Sequence, residues 1–385
     1  LTAGSESWQL HKFILSARSP YFLKKLSLAP ETTSWRLAST IPPEAFHVAL
    51  RFLYLGDVPS DLGIGARSFV TEEEVLKGID KISKQLEIES LWEGILGGND
   101  RRIARQRHQD EVLRGQAQLE AWHRDNVLRH KIELESSRAK DVKWSRDNSI
   151  FADVLLCADE DLIDEELAET PEVSQTGLDG IPVGPKDESS VASAPLKPRR
   201  SVIFPAHRAM LTRSEYFFTM FSSSFQEAQI TEYLQVIRVD CSPEVLEVIL
   251  KFLYTEKAEF PLEIAIDVLF AADMLLIEKL KTKAAVIIST LGNGNGSSLA
   301  DRTHKEAGNN EEEEPEGIDV YDVLRAGWLM RVQRLEEFAA RYIAYRLEDY
   351  IDEREFEEII KESASRIQKR QETDTIELLD EYVSF

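Results

Sequence analysis

Apolar positions recur at helical spacing in two stretches of this chain that nearly superimpose. In PEAFHVALRFLY, from Pro43 to Tyr54, the residues Phe46, Ala49, Leu50 and Leu53 fall on one face, as an amphipathic helix requires. Pro42 and Pro43 fix its first turn, where proline sacrifices no hydrogen bond. PEVLEVILKFLY, from Pro243 to Tyr254, aligns on it without a gap. Upstream of each lies a second shared passage, HKFILSARSPYF from His11 to Phe22 and HRAMLTRSEYF from His207 to Phe217. The second copy is one residue shorter between its leucine and its arginine. The chain is therefore an internal duplication, which fixes its organisation before any local reading.

The remaining pattern fills in around the repeats. Trp8 to Phe13 predicts a short strand running into a helix over Arg18 to Leu26, and Trp35 to Ala38 a second short strand. Residues 1–96 thus form a first globular unit, read as beginning inside a domain. Residues 97–148 predict a charged helical spacer whose apolar stripe is thin: Ile103, Val112, Leu119, Trp122 and Leu128. The second unit, 149–291, opens on FADVLL from Phe151, a buried strand whose partner is SVIFPAH at Ser201 to His207. Between them, 159–198 is acidic and proline-bearing, too polar to offset its ordering entropy, and predicts a disordered insert within a hairpin. A flexible, then acidic, linker over 292–317 leads to helical periodicity over 318–385. There Val320, Leu324, Leu329, Val332, Leu335, Phe338, Tyr342, Ile343 and Leu347 mark a helical pair, with a solitary helix beyond Glu362.

Composition narrows the function. In 385 residues there are only two cysteines, Cys157 and Cys241, which argues against a disulfide framework and for a reducing compartment, the cytoplasm with the nucleus also open. The longest apolar runs, such as VLFAADMLLI from Val268, are too short to span a bilayer. A formal net charge of -23 opposes contact with nucleic-acid phosphates. The basic run RRIARQRH, from Arg101 to His108, has no interleaved aromatics and reads as a solvated helix face. No partner of nucleic-acid or membrane type is implied, and no cofactor. His11 and His207 head the two equivalent helices. Neither has a second ligand at metal-binding spacing, so each reads as a hydrogen-bonded structural histidine. No nucleophile-and-base constellation is present, and the chain reads as non-enzymatic.

The duplicated passages resemble the BTB/POZ domain, a compact α+β protein-interaction fold. The second copy carries four ordered motifs: FADVLL, PAHRAMLTRSEYFFTMF, PEVLEVILKFLYT and VLFAADMLLIEKL. The first matches from LHKFILSARSPYF through ALRFLYLGDV to QLEIESL at Gln85 to Leu91, and lacks the opening strand. Two such units with a charged spacer and a helical C-terminal part are similar to the ankyrin-repeat and BTB/POZ-domain proteins. The resemblance implies ankyrin repeats preceding Leu1, and the region 318–385 looks like the helical BACK segment that follows BTB domains.

The resemblance also implies site residues. Asp153 on the first strand and Arg208 after the histidine fit the family's charged pocket near the interface, with a strand-orienting ion pair as the simpler alternative. Lys12 holds the equivalent place in the first copy. Phe225, Gln226 and Glu227 in SSFQEAQ fit the hydrophobic-x-glutamate pattern of BTB domains that recruit cullin-3, and Tyr254 completes that expected partner surface. The first copy has LAPETT there, a poorer match. The reading is an adaptor that couples an unknown substrate protein to a cullin-3 ubiquitin ligase, with intramolecular or homotypic BTB pairing. The alternative is a scaffold whose BTB units only dimerise.

Overall fold

The computed structural model describes residues 2–3, 6–36, 38–59, 70–97, 101–160, 200–223, 231–290 and 318–383. The chain divides into two compact units, Leu1–Lys257 and Ala258–Phe385. The first holds the shared passages of both repeats and the segment that joins them.

The first repeat is mainly helical among the described residues. A two-residue ladder, β1 (Thr2–Ala3) with β2 (Glu6–Ser7), precedes α1 (Lys12–Arg18), α2 (Pro20–Leu28), α3 (Pro43–Leu55), α4 (Glu72–Gln85) and α5 (Glu89–Leu96). The strand expected over Trp8–Phe13 is not formed. His11 instead caps α1 and Phe13 lies inside it, because the apolar positions Phe13 and Leu15 serve the helix face. Leu15, Phe22, Phe46, Leu53, Ile79, Ile82 and Leu91 meet in one core, with Trp8 and Trp35 packed on its flank.

The joining segment is helical only in part. Helix α6 (Arg101–Trp122) passes into one turn of π-helix over His123–Val127, in which Leu128 N–H reaches His123 O. The chain then enters strand β3 (Ile132–Glu135), which pairs antiparallel with the second repeat. The expected all-helical spacer is corrected here: Ile132 and Leu134 alternate with Glu133 and Glu135, the period-two pattern of a half-buried strand.

The second repeat supplies β4 (Val154–Asp159), β5 (Arg200–Ala206), α7 (Arg208–Leu211), α8 (Glu215–Ser222), β6 (Val236–Arg238) and α9 (Pro243–Thr255). The sheet runs β3-β5-β4-β6. Its β4–β5 pair is antiparallel from Val154↔Ala206 to Asp159↔Ser201, and β6 lies parallel to β4. Thus FADVLL and SVIFPAH are the two arms of one hairpin; most of the expected insert between them lies outside the described residues. The residue missing from the second copy leaves α7 with four residues where α1 has seven.

The second unit contains α10 (Ala265–Met274), α11 (Glu278–Ser289), α12 (Val320–Leu329), α13 (Gln333–Ala344), α14 (Leu347–Tyr350) and α15 (Arg354–Val383). The tail helix starts well before Glu362, because Ile359 is buried and anchors its first turns. One turn chemistry occurs three times among the described residues. Glu87, Leu276 and Arg331 all adopt positive φ, at 56°, 54° and 55°. In each case the next residue's N–H closes the preceding helix, Ile88 on Ser83 O, Ile277 on Ala272 O and Val332 on Gly327 O.

The two central helices end alike but not with the same residue. Gly56 closes α3 at φ 65°, and Glu256 closes α9 at φ 59°. A β-carbon on Gly56 would lie 3.3 Å from Glu111 Cγ and 3.5 Å from the α6 backbone, so glycine is needed there for conformation and for space. Glu256 carries the left-handed strain, and its side chain makes a half-exposed ion pair with Arg213. Chemical denaturation should therefore show Glu256→Gly stabilised by up to about 1 kcal/mol, and Gly56→Ala destabilised by about 1–2 kcal/mol.

Candidate functional site

The repeats meet at a pair of rings that the duplication supplies twice. In the second repeat the backbone N–H of His207 donates to the Tyr254 hydroxyl at 3.1 Å, and that hydroxyl lies 2.5 Å from His207 Nδ1. His207 Nε2 faces the Ile150 carbonyl at 2.8 Å. A carbonyl can only accept, so Nε2 carries the proton and Nδ1 accepts from tyrosine. In the first repeat His11 N–H donates to Tyr54 Oη at 3.0 Å, with Nδ1 at 3.2 Å. The motif is the same and its setting is not. His207 and Tyr254 are each 1% exposed, whereas Tyr54 is 36% exposed.

Phe13 of the first repeat accounts for much of the difference. Its ring stacks on His207 with centroids 4.1 Å apart, and it is itself buried. From the other side His123, at the π-helical turn after α6, lies 4.9 Å from the Tyr254 ring. The partners of the second copy's His–Tyr pair thus come from the first repeat and from the joining helix. Arg18 ties the first repeat to the joining helix. It donates from Nε to Leu53 O at 3.0 Å, pairs with Glu111 at 2.7 Å and also bonds Gln118. Gly115 is what admits it, since a β-carbon there would sit 3.0 Å from Arg18 Nη1. Arg213, the equivalent residue, donates to Leu253 O at 2.6 Å but turns to Glu256 instead of to α6. Lys257 pairs with Glu120 of α6 at 2.6 Å.

Tyr254 therefore does not belong to a partner-facing surface, and that expectation is corrected. Its position on α9 turns it inward, where its hydroxyl is held by His207. Asp153 and Arg208 are brought together, through the main chain: Asp153 Oδ1 accepts from Arg208 N–H at 2.7 Å, while the guanidinium lies over the Phe221 ring at 4.8 Å. Burial pushes the Asp153 carboxyl above its usual range, opposed by the Arg208 N–H and its charge. Phe225, Gln226 and Glu227 lie outside the described residues. Immediately before them, α8 presents Phe218 (57% exposed) and Tyr216 (40%) to solvent and buries Phe217 and Met220. His123 and Phe13 were not singled out by their sequence. Phe13 lies within the shared passage HKFILSARSPYF but nothing in that passage marks it out from its apolar neighbours, His123 sits in no motif, and only the thin stripe that includes Trp122 points toward the α6 contact. Among the described residues no cluster of His, Cys, Asp or Glu is placed to hold a metal, and no helix is long and apolar enough to cross a membrane.

Two measurements follow from the ring cluster. Tyr254→Phe leaves buried His207 groups without their partner and should cost about 1–3 kcal/mol in denaturant unfolding. Tyr54→Phe, at a wet site, should cost under about 1 kcal/mol. The second concerns pH. Burial pushes both His207 and His123 down to about 4, with nearby cationic charge adding to it, from Lys251 for His123 and from the other histidines for His207. Unfolded imidazoles protonate near 6.5. Between these values the unfolded chain binds more protons than the folded one, so stability is full above about pH 6.5 and falls as pH drops toward 4. Each imidazole accounts for a loss on the order of 3 kcal/mol. His123→Phe, which keeps a ring against Tyr254, should remove about half of this dependence when unfolding is compared at neutral and mildly acidic pH.

The sequence has counterparts in known proteins. Residues 1–93 and 196–290 match the family model of the BTB/POZ domain. The chain is 41% identical over 182 residues to BTB/POZ domain-containing protein 3 of Schizosaccharomyces pombe, covering 46% of this chain and 30% of that protein. It is 36% identical over 193 residues to Ankyrin repeat-containing protein YIL001W of Saccharomyces cerevisiae, covering 46% of this chain and 33% of that one. The chain thus spans about a third of the length of the curated relatives it matches. With the fold in the α+β class, two segments of the chain match the BTB/POZ domain, so its sequence carries that domain's pattern twice.

Proposed function

We propose that the chain is a non-enzymatic adaptor that couples a substrate protein to a cullin-3 ubiquitin ligase, with the second BTB unit as the cullin-binding one. BTB domains are protein-interaction modules, and the finer assignment rests on one observation. The aromatic pair Tyr216 and Phe218 stands exposed on α8, directly before the Phe225-Gln226-Glu227 segment that fits the cullin-recruiting pattern. An exposed aromatic beside a carboxylate is the composition of an interface anchor. Contacts between the repeats are meanwhile satisfied within one chain, through Phe13, His207 and α6. Helix α8 thus remains open to another protein. The two free cysteines, one of them buried, support a cytoplasmic or nuclear setting.

The scaffold reading has its own support in the second unit. Tyr345 is 81% exposed, and Leu329, Leu347, Ile351, Ile360 and Ile367 are exposed as well, apolar side chains that homotypic assembly would cover.

Binding of the purified chain to a cullin-3 N-terminal domain decides between them. Phe225→Ala should weaken binding at least ~30-fold with the melting curve unchanged, as expected when a central aromatic anchor worth about 2 kcal/mol is truncated. Glu227→Ala should weaken it less and in a salt-dependent way. Absence of cullin-3 binding by the intact chain would leave the scaffold reading.

A further inference from the structure

Histidines from three different parts of the chain gather where the repeats meet. His11 belongs to the first repeat, His123 to the end of the joining helix and His207 to the second repeat. Rings link them: His11 lies 6.3 Å from Phe13, Phe13 stacks on His207, and His123 faces Tyr254. The joining segment is fastened on both sides of His123, but to different repeats. Upstream, α6 is held by the first: Arg18 pairs with Glu111, Arg114 Nη1 donates to Ser90 Oγ at 3.0 Å, and His108 Nδ1 lies 3.1 Å from Gly56 O. Downstream, β3 is held by the second through its ladder on β5. The π-helical turn His123–Val127 stands between them, and irregular turns of this kind are frequent hinge points. The contacts that cross it include Phe13 on His207, His123 on Tyr254, Trp122 on Phe151 and the half-exposed Glu120–Lys257 pair. Each repeat has a core of its own besides.

Neither buried imidazole has a place for a second proton. His123 Nε2 is buried without a hydrogen-bond partner, so a charged ring would leave an N–H unsatisfied there. His207 Nδ1 accepts from the Tyr254 hydroxyl, and a proton on it would meet the tyrosine's own. The surrounding charges do not compensate. Lys251 of α9 opposes a charge on His123, and Glu120, which favours one, is already paired with Lys257. His207 faces His11 and His123, while Lys12 of α1 donates to Pro30 O. Asp153 acts on Tyr254 and is itself pushed toward its neutral form by burial.

We propose that the pairing of the repeats is gated by pH: protonation of His123 and His207 parts them about the π-helical turn while each repeat keeps its own core. The sign follows from burial, which holds both rings down to about 4, whereas rings exposed by opening protonate near 6.5. The open form therefore binds more protons than the closed one, and its population rises as pH falls from 6.5 toward 4. Opening uncovers Phe13 and the His207–Tyr254 pair, the surfaces through which the repeats hold each other. It is a local event, distinct from the loss of global stability with acid, because the histidines concerned lie at the junction.

The test maps the reaction of diethyl pyrocarbonate with each histidine of the intact full chain by mass spectrometry, with the exposed His47 as internal reference. Relative to His47, labelling of His123 and His207 should rise about 10-fold between about pH 7.5 and 6, and about 100-fold by about pH 5.5, the combined effect of two imidazoles released together. Cys157, 1% exposed within the second repeat's core, should stay closed to a thiol reagent over the same range. In His123→Phe, which keeps a ring against Tyr254, the rise for His207 should shrink to about 10-fold at about pH 5.5. Labelling of His123 and His207 that does not change with pH would overturn the proposal. So would Cys157 labelling that rises in step with theirs, which would make the event global unfolding, or an undiminished rise for His207 in His123→Phe.

Discussion

The buried hydrogen bond between His207 and Tyr254 is the constraint on which the rest of the first unit depends. Two polar rings sealed from water are tolerated only if every donor and acceptor is paired, and here the hydroxyl accepts one N–H and donates to the imidazole while Nε2 donates to Ile150 O. What seals them is not local. Phe13 closes one side from the first repeat and His123 another from the joining helix. The twin pair, His11 with Tyr54, has the same bonding to the hydroxyl and lies far more open. The difference between the two copies is therefore made by their mutual packing, and it converts a duplication into one compact unit.

That packing also explains where the joining helix sits. Gly56 and Gly115 permit two close approaches, one of α6 to the end of α3 and one of Arg18 to α6. Arg18 and Glu111 are both nearly excluded from solvent, so the pair specifies an arrangement more than it adds stability. Arg213 occupies the equivalent place without such a partner and closes on Glu256, which is why the two halves are related but not interchangeable.

Much of this was legible in the sequence. The central helices, their proline starts and the hairpin of FADVLL with SVIFPAH all follow from local periodicity, which tertiary structure reinforced. The spacer was harder. Its first part is a helix, but Ile132 to Glu135 alternate over only four residues, too few to stand out within a charged stretch. The fate of Tyr254 was not legible either, because its inward turn depends on His207 forty-seven residues away. His123 is inconspicuous for a similar reason: its burial comes from a single π-helical turn, a local geometry with no pattern of its own. Glu256 in a left-handed conformation breaks the glycine rule that Gly56 obeys, so one copy announced its helix end and the other concealed it.

The central claim is that the two BTB units pair within one chain. It is tested most directly by cross-linking an equimolar mixture of isotopically light and heavy chains and reading the labels of peptides that join residues 1–96 to residues 149–257. The account predicts that every such peptide carries one label on both halves, whatever the protein concentration. Mixed-label peptides in the proportion expected of free exchange would show that Phe13 stacks on the His207 of another chain, and would contradict it.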